Sequence, residues 1–292
     1  MLVLSVAAAL PAGAQMPELR AGAMLDCSGL PCVDATLAGG KHLKMQIDTG
    51  DVDSLLDTHV AKDLGLEVSP VKGADGKEVA GYGSAVLHGL QVGDAGLGDV
   101  KVLVMDLSAF MTKDQMPKSD GSLAYPAFKG RVLEMDYVGR KVRFSDVLTG
   151  DVKCPGQCGE LTTPTFGKRG PPILVATGFS VNGKAITAQI DTLFAGTMLI
   201  YPTSVERLGL GEEAKSTKKE MFKYTDGGVE MMRAAAASEA FEGRVLAKDA
   251  AIYFAGPKVH LPDGMFDGTV GHALLEHSVV VMDLKGMRVW LR

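Results

Sequence analysis

The sequence predicts a mainly β chain built as two homologous half-domains with a cleft between them. Three observations carry that prediction. Residues 120–145 and 267–292 align without a gap. Short apolar runs alternate with turn signals along the chain. An Asp-Thr pair follows an apolar run in each half, at Asp48-Thr49 and at Asp191-Thr192.

The duplication orders the rest. DGSLAYPAFKGRVLEMDYVGRKVRFS aligns with DGTVGHALLEHSVVVMDLKGMRVWLR, with identities at Asp120/Asp267, Gly121/Gly268, Val132/Val279, Met135/Met282, Asp136/Asp283, Gly139/Gly286 and Val142/Val289. Each copy reads as a strand, an Asp-x-x-Gly turn and a second strand, which is a hairpin signature. The fronts of the halves match as well. Lys44-Met45-Gln46-Ile47-Asp48-Thr49 parallels Thr187-Ala188-Gln189-Ile190-Asp191-Thr192, and each leads to a short helical pattern ending at Leu64-Gly65-Leu66 or Leu208-Gly209-Leu210. Solenoid units recur every 20–50 residues or so, and these repeats are longer, so they are read as half-domains.

The predicted organisation is a leader at 1–14, a first lobe at 15–145, a linker at 146–171 and a second lobe at 172–292. The linker is rich in Gly, Pro and Thr, holds Cys154 and Cys158, and gives way to the second lobe at Pro171-Pro172. Within the lobes, Gly39-Gly40, Asp75-Gly76, Asn182-Gly183 and Asp226-Gly227-Gly228 mark turns between strands. Gly93 to Gly98 reads as a turn ahead of a strand at Val100–Met105. The Ala234–Ala237 run suits either a helix or a packed alanine-rich segment.

The leader, an apolar run followed by Ala12-Gly13-Ala14, has the form of a signal peptide with a small-x-small cleavage site. It is too short to span a bilayer. Basic residues are missing ahead of it, which suggests a start further upstream; a buried first strand is the alternative. Export predicts a secreted or periplasmic protein that is not membrane-bound after cleavage. It also makes disulfides possible, with Cys27/Cys32 and Cys154/Cys158 as the simplest of three pairings. A structural zinc site is the rival reading of those four cysteines.

Charged residues make up 22% and hydrophobic residues 46%, as in an ordinary globular chain. A net charge of −5 gives no basic footprint for nucleic acid. Lys215, Lys218, Lys219 and Lys223 are interleaved with Glu212, Glu213 and Glu220, as on a solvated face. No H-E-x-x-H, G-x-S-x-G or P-loop pattern occurs; His272 and His277 are five apart and off a common helical face. Neither a metal site nor a cofactor is expected.

A D-T-G triplet on its own carries little information, but Ile47-Asp48-Thr49-Gly50 follows a strand-like run and is echoed at Ile190-Asp191-Thr192. Each half also has a downstream Asp-Gly-x-apolar element, at Asp120 and Asp267. Together these residues resemble the pepsin/retropepsin class of aspartic peptidases, especially bacterial proteins with a duplicated retropepsin-like domain. The resemblance covers residues 33–145 and 172–292 and implies a bilobal acid-protease-like fold.

It further implies that Asp48 and Asp191 form a catalytic dyad, supported by Thr49, Gly50 and Thr192. Two carboxyls held close cannot both ionise, so they share one proton. The implied activity is endopeptidase cleavage of peptide or unfolded protein, by a monomer whose second half already fills a partner's place. The alternative is a catalytically inactive pseudo-peptidase that binds peptide or protein in the cleft. Asp75 to Gly83 suits a flap hairpin with Tyr82 over the cleft, or an ordinary glycine-rich hairpin with an exposed tyrosine. Tyr224 to Gly228 takes the matching place in the second half.

Three positions depart from the family pattern. Leu193 stands where the family has glycine, and a leucine is costly at positive φ. An insertion that displaces Gly196 is therefore expected in the second loop. Ala124 replaces the glycine that Gly271 keeps. Asp51 adds a third carboxyl beside the pair, which would perturb its titration.

Overall fold

Asp120 and Asp267, which open the duplicated segment, make the same three bonds in the two halves. The Asp120 amide donates to the Lys44 carbonyl at 2.7 Å, its carbonyl accepts from the Asp57 amide at 2.9 Å, and its carboxylate accepts from the Lys44 amide at 2.7 Å. The Asp267 amide donates to the Thr187 carbonyl at 2.7 Å, its carbonyl accepts from Tyr201 at 2.9 Å, and its carboxylate accepts from Thr187 at 2.8 Å. The next residue must be glycine in both halves. A methyl group on Gly121 would overlap the Leu55 carbonyl, and one on Gly268 would overlap that of Leu199. The repeated Asp-Gly is thus a backbone anchor where two strands pass at close range.

A computed structural model describes residues 19–73, 75–110, 119–145, 154, 156–165, 172–215, 217–222, 229–235, 238–256 and 265–292. The leader, Tyr224 to Gly228, Ala236-Ala237, Lys223 and much of the 146–171 linker lie outside the described residues.

In the first lobe the strand His42–Asp48 runs antiparallel to Leu30–Thr36 and parallel to Gly121–Ala124. The latter runs antiparallel to Ser54–Asp57, which lies parallel to Ala95–Met105. That strand pairs with the long strand Glu78–Val92, whose far end returns to Leu30–Thr36. The pairings therefore close into a ring around Met45, Ile47, Leu56, Leu87 and Leu123, all fully buried. The second lobe repeats the central motif, with Lys184–Asp191 parallel to Gly268–Gly271 and Met198–Ile200 antiparallel to it.

The duplicated hairpins, Val132–Asp136 with Lys141–Phe144 and Val279–Asp283 with Arg288–Leu291, have matching registers. Their turns match too. Gly139 and Gly286 donate to the Asp136 and Asp283 carboxylates at 2.6 and 2.7 Å, and Arg140 and Met287 both take positive φ. The hairpins also pair with each other, Met135 opposite Val280, at the centre of an antiparallel sheet flanked by Arg20–Cys27 and Gly159–Thr162. This shared sheet ties the lobes together. Glu134 is buried within it and receives both Arg143 and Arg292. On one patch of it Val132, Val281 and Trp290 pack together, with the Cys154–Cys158 disulfide against them. Cys27 and Cys32 form the other disulfide.

The short helix Thr58–Asp63 ends as its sequence suggested. Gly65 takes φ +66° and the Leu66 amide returns to the Ala61 carbonyl at 3.0 Å. Gly209, at φ +63°, and the Leu210 bond to Val205 repeat this end after Pro202–Val205. The chain is mainly β and bilobal, as expected.

Three local readings are sharpened, the first in favour of the packed alanine-rich segment over the helix. Ala234 and Ala235 belong to the strand Val229–Ala235, because pairing with Ala251–Ala255 overrides alanine's helical preference. The strand after Gly93 begins at Ala95 rather than Val100, since register shifts against Glu78–Val92 absorb the glycines. Within the linker, Gly159–Thr162 forms a strand, which pairs with both Val175–Val181 and Arg288–Leu291.

Candidate functional site

Strand alternation places the two aspartates. Along His42–Asp48, Met45 and Ile47 point into the core, so Gln46 and Asp48 share the opposite face. Along Lys184–Asp191, Ala188 and Ile190 are the core residues, and Gln189 and Asp191 share the other face. Each aspartate ends its strand beside the crossing segment, Asp48 next to Ala124 and Asp191 next to Gly271.

The chain then folds back onto each carboxylate. Asp48 Oδ1 accepts the amides of Gly50 and Asp51 at 3.0 and 3.1 Å. Asp191 Oδ1 accepts those of Leu193 and Phe194 at 2.9 and 3.0 Å. Leu193 thus makes the turn that Gly50 makes. Neither residue has positive φ, so the strain expected at Leu193 is absent. What glycine provides at position 50 is space, because a methyl group there would overlap the Asp191 carboxyl.

The expected insertion is present, one residue long. Leu55 opposes Ser122, while its counterpart Leu199 opposes the matching Thr269 from one residue further past its aspartate. The extra length falls around Ala195-Gly196 and brings the Phe194 and Gly196 carbonyls onto the Gly271 α carbon. That contact explains the Ala124/Gly271 difference. Gly271 has no room for a methyl group, and its amide donates to the Thr197 carbonyl at 2.8 Å. The shorter first loop leaves room for Ala124, whose amide donates to the Ser54 hydroxyl oxygen at 3.0 Å.

Thr49 and Thr192 interlock the loops. The Thr49 amide donates to Thr192 Oγ1 at 3.1 Å, and the Thr192 amide to Thr49 Oγ1 at 3.3 Å. Each hydroxyl then donates across the lobe boundary, Thr49 to the Ile190 carbonyl at 2.8 Å and Thr192 to the Ile47 carbonyl at 2.5 Å. All of these groups are buried, so every donor is matched without water.

The electrostatics follow from this closeness. Burial first, then the charges of Asp191 and Asp51, hold the Asp48 carboxyl well above the usual carboxylate range; the Gly50 and Asp51 amides oppose them. Asp191 is also raised, by burial first, with the Leu193 and Phe194 amides opposing and Asp51 adding to the rise. Asp51 itself is raised by burial.

Two tyrosines that the sequence did not single out face Asp191. Tyr137, from the first lobe, and Tyr201, from the second, are both pushed upward, mainly by burial and further by the Asp191 charge. Tyr137 packs edge-on against His272 at 5.2 Å, which brings the two lobes together below the site. The repeated Gln46/Gln189, two residues before each aspartate, is the signal that could have been read further. Gln189 Nε2 donates to the Gly50 carbonyl at 2.6 Å, across the lobe boundary.

Tyr82 is 38% exposed on the strand Glu78–Val92, where that strand pairs with Ser69–Lys72. The turn between these strands carries Gly76 at φ +78°, as a hairpin tip requires. Among the described residues no group of three or more His, Cys, Asp or Glu side chains is placed to hold a metal ion.

In a sequence comparison, residues 33–127 match the family model described as aspartyl protease. That stretch of the first lobe is similar to the aspartyl protease family. The match contains Asp48-Thr49-Gly50 and the crossing strand Gly121–Ala124. Among solved structures the chain is similar to conglutin gamma, a basic 7S globulin from lupine seeds, at 14% identity over 95% of each chain with a TM-score of 0.46. No curated protein matches. Each half contributes one carboxylate loop, and the two loops meet at the Thr49–Thr192 contact.

Proposed function

We propose that this chain is an exported aspartic-type endopeptidase that hydrolyses peptide bonds with Asp48 and Asp191 as its dyad. The observation that carries this reading is the Thr49–Thr192 interlock, which holds two buried carboxyl groups in mutual electrostatic contact. Such a pair keeps one proton. Asp51 raises both carboxyls, so the proton belongs to the pair; with it on Asp48, Asp191 is the ionised partner.

The chemistry then follows from the charge arrangement. Asp191 takes a proton from a water molecule as the water oxygen attacks the peptide carbonyl carbon. Asp48 donates its proton to the carbonyl oxygen, giving a neutral tetrahedral diol. As the C–N bond breaks, the proton on Asp191 passes to the leaving nitrogen, and a hydroxyl proton of the diol returns to Asp48. The Tyr82 hairpin is the element that closes over a bound peptide. Substrates are peptides or unfolded protein, and a single chain suffices because the second lobe supplies the second carboxyl. The leader and the two disulfides support export to the cell exterior or periplasm.

The departure of Leu193 from the family's glycine prompts a second reading, in which the cleft binds peptide or protein without cleaving it, although Leu193 makes the Gly50-like turn without strain. Cleavage of an unfolded protein by the purified chain, at a mildly acidic pH and abolished by Asp48→Asn, is the expected result. No cleavage by a folded sample from about pH 3 to about pH 7 overturns the peptidase. Retained peptide binding in that sample would favour the second reading.

A further inference from the structure

We propose that Gln189 is a positioning residue: from the second lobe it holds the Gly50–Asp51 peptide unit so that the Asp51 N–H is delivered to the Asp48 carboxyl. The assignment rests on the dyad reading above and adds a residue to it.

The bonds form a continuous line. Gln189 Nε2 donates to the Gly50 carbonyl at 2.6 Å. That carbonyl and the Asp51 N–H belong to one planar peptide and point in opposite directions. Holding the carbonyl therefore aims the N–H, which reaches Asp48 Oδ1 at 3.1 Å. Behind Gln189, its Oε1 accepts the Thr269 hydroxyl at 3.4 Å, and Thr269 Oγ1 meets the Tyr201 hydroxyl at 3.1 Å. With Thr269 donating to the oxygen end, the amide nitrogen of Gln189 must face Gly50. A peptide whose carbonyl already accepts a bond is the stronger donor at its N–H.

The first lobe lacks this line. Gln46 stands at the matching position, yet its Nε2 and the hydroxyl of the adjoining Ser122 are buried and have no hydrogen-bond partner among the described residues. Gln46's counterpart target is the Leu193 carbonyl, in the longer loop. The residue matching Tyr201 is Asp57, whose carboxylate is engaged by the His59 and Leu107 amides instead. The hold is one-sided, from the second lobe onto Asp48.

Removing it weakens the Asp51 bond to ionised Asp48 and so moves the proton equilibrium of the pair. The ionisable groups facing the pair are Asp51, with Asp53 behind it, and Tyr137 and Tyr201 beside Asp191, with Glu276 behind Tyr137.

The test is a carbon-13 carboxyl NMR titration of the folded chain and of Gln189→Met, Tyr201→Phe and Gln46→Met, with peptide cleavage followed in parallel. In Gln189→Met the upper apparent pKa of the pair is expected to rise by about half a unit. Tyr201→Phe is expected to give a smaller rise and Gln46→Met none. Equal titrations in Gln189→Met and Gln46→Met overturn the inference. If Gln189→Met does not fold, equal titrations in Tyr201→Phe and Gln46→Met overturn it. A lower kcat in Gln189→Met with an unmoved pH profile also overturns it, since a merely structural role would give that result. If the titrations differ as expected while the parent cleaves nothing, the peptidase reading falls and the hold on Asp48 stands.

Discussion

The carboxyl of Asp191 lies against the α carbon of Gly50, so the second lobe's acid is seated on the first lobe's backbone. The converse contact differs, because Leu193 carries a side chain where Gly50 has none, and its loop is one residue longer. The D-T-G glycine is therefore needed on one side alone. Gly50→Ala is expected to push Asp191 aside and lower kcat/KM by at least about 100-fold, since misplacing a catalytic group by even 1 Å costs that much. Leu193→Gly, at a position already in an ordinary conformation, is expected to change kcat/KM by less than about tenfold. Steady-state cleavage of a peptide by the two variants checks both; an equal loss would remove the asymmetry.

The threonine interlock predicts coupled stability. Thr49→Val removes a hydroxyl that accepts from Thr192 and donates to Ile190, and it leaves a buried carbonyl unpaired. The expected cost is about 2 kcal/mol, and Thr192→Val should cost about the same. Because each residue bonds to the other, the double variant should cost about 1 kcal/mol less than the sum. Urea denaturation of the four proteins closes the cycle, and strict additivity would mean that the two hydroxyls act independently.

The hairpins and the anchoring Asp-Gly were legible because their causes are local. An aspartate that caps its own turn, and a glycine under a crossing carbonyl, leave the same residues in both copies. The aspartate pair was legible for the same reason. The cross-lobe contacts were not. Gln46 and Gln189 are identical in sequence position, yet among the described residues the Gln46 Nε2 has no partner while that of Gln189 grips Gly50, which depends on a loop lengthened around Gly196. The approach of Tyr137 and Tyr201 to Asp191 depends on how two distant hairpins pair, and no local pattern records that. The expected strain at Leu193 failed because glycine's role there was judged by φ, whereas space decides it.

The buried pair predicts a pH dependence of stability as well as of rate. Asp48 has a folded-state pKa raised above its unfolded value of 3.8, so the folded state binds more protons. Its contribution to stability is full below about pH 3.8 and declines as pH rises through the folded value. Asp48→Asn is therefore expected to melt higher than the parent at neutral pH and about equally at pH 3, while kcat falls by at least about 1000-fold. Calorimetry across pH checks the stability half. A variant that melts lower at neutral pH would mean that the carboxylate is stabilised in place rather than strained by burial.

Glu239 offers a second, separable pH effect away from the dyad. It is fully buried, and Thr197 Oγ1 lies 3.0 Å from its Oε1 and 2.5 Å from the Ala251 carbonyl. A threonine hydroxyl has one hydrogen, and the closer carbonyl takes it, so the bond to Glu239 is best satisfied by a proton on the glutamate. Burial accordingly pushes Glu239 up to about 7 from 4.5. The folded state holds this proton where the unfolded chain has lost it, so stability declines between pH 4.5 and about pH 7. Gln at this position keeps the donor and cannot ionise. Glu239→Gln is expected to stabilise the chain by about 3 kcal/mol at pH 8 and by nearly nothing at pH 4. Denaturation at the two pH values checks this, and an equal gain at both would show that packing, not the proton, is what the substitution changes.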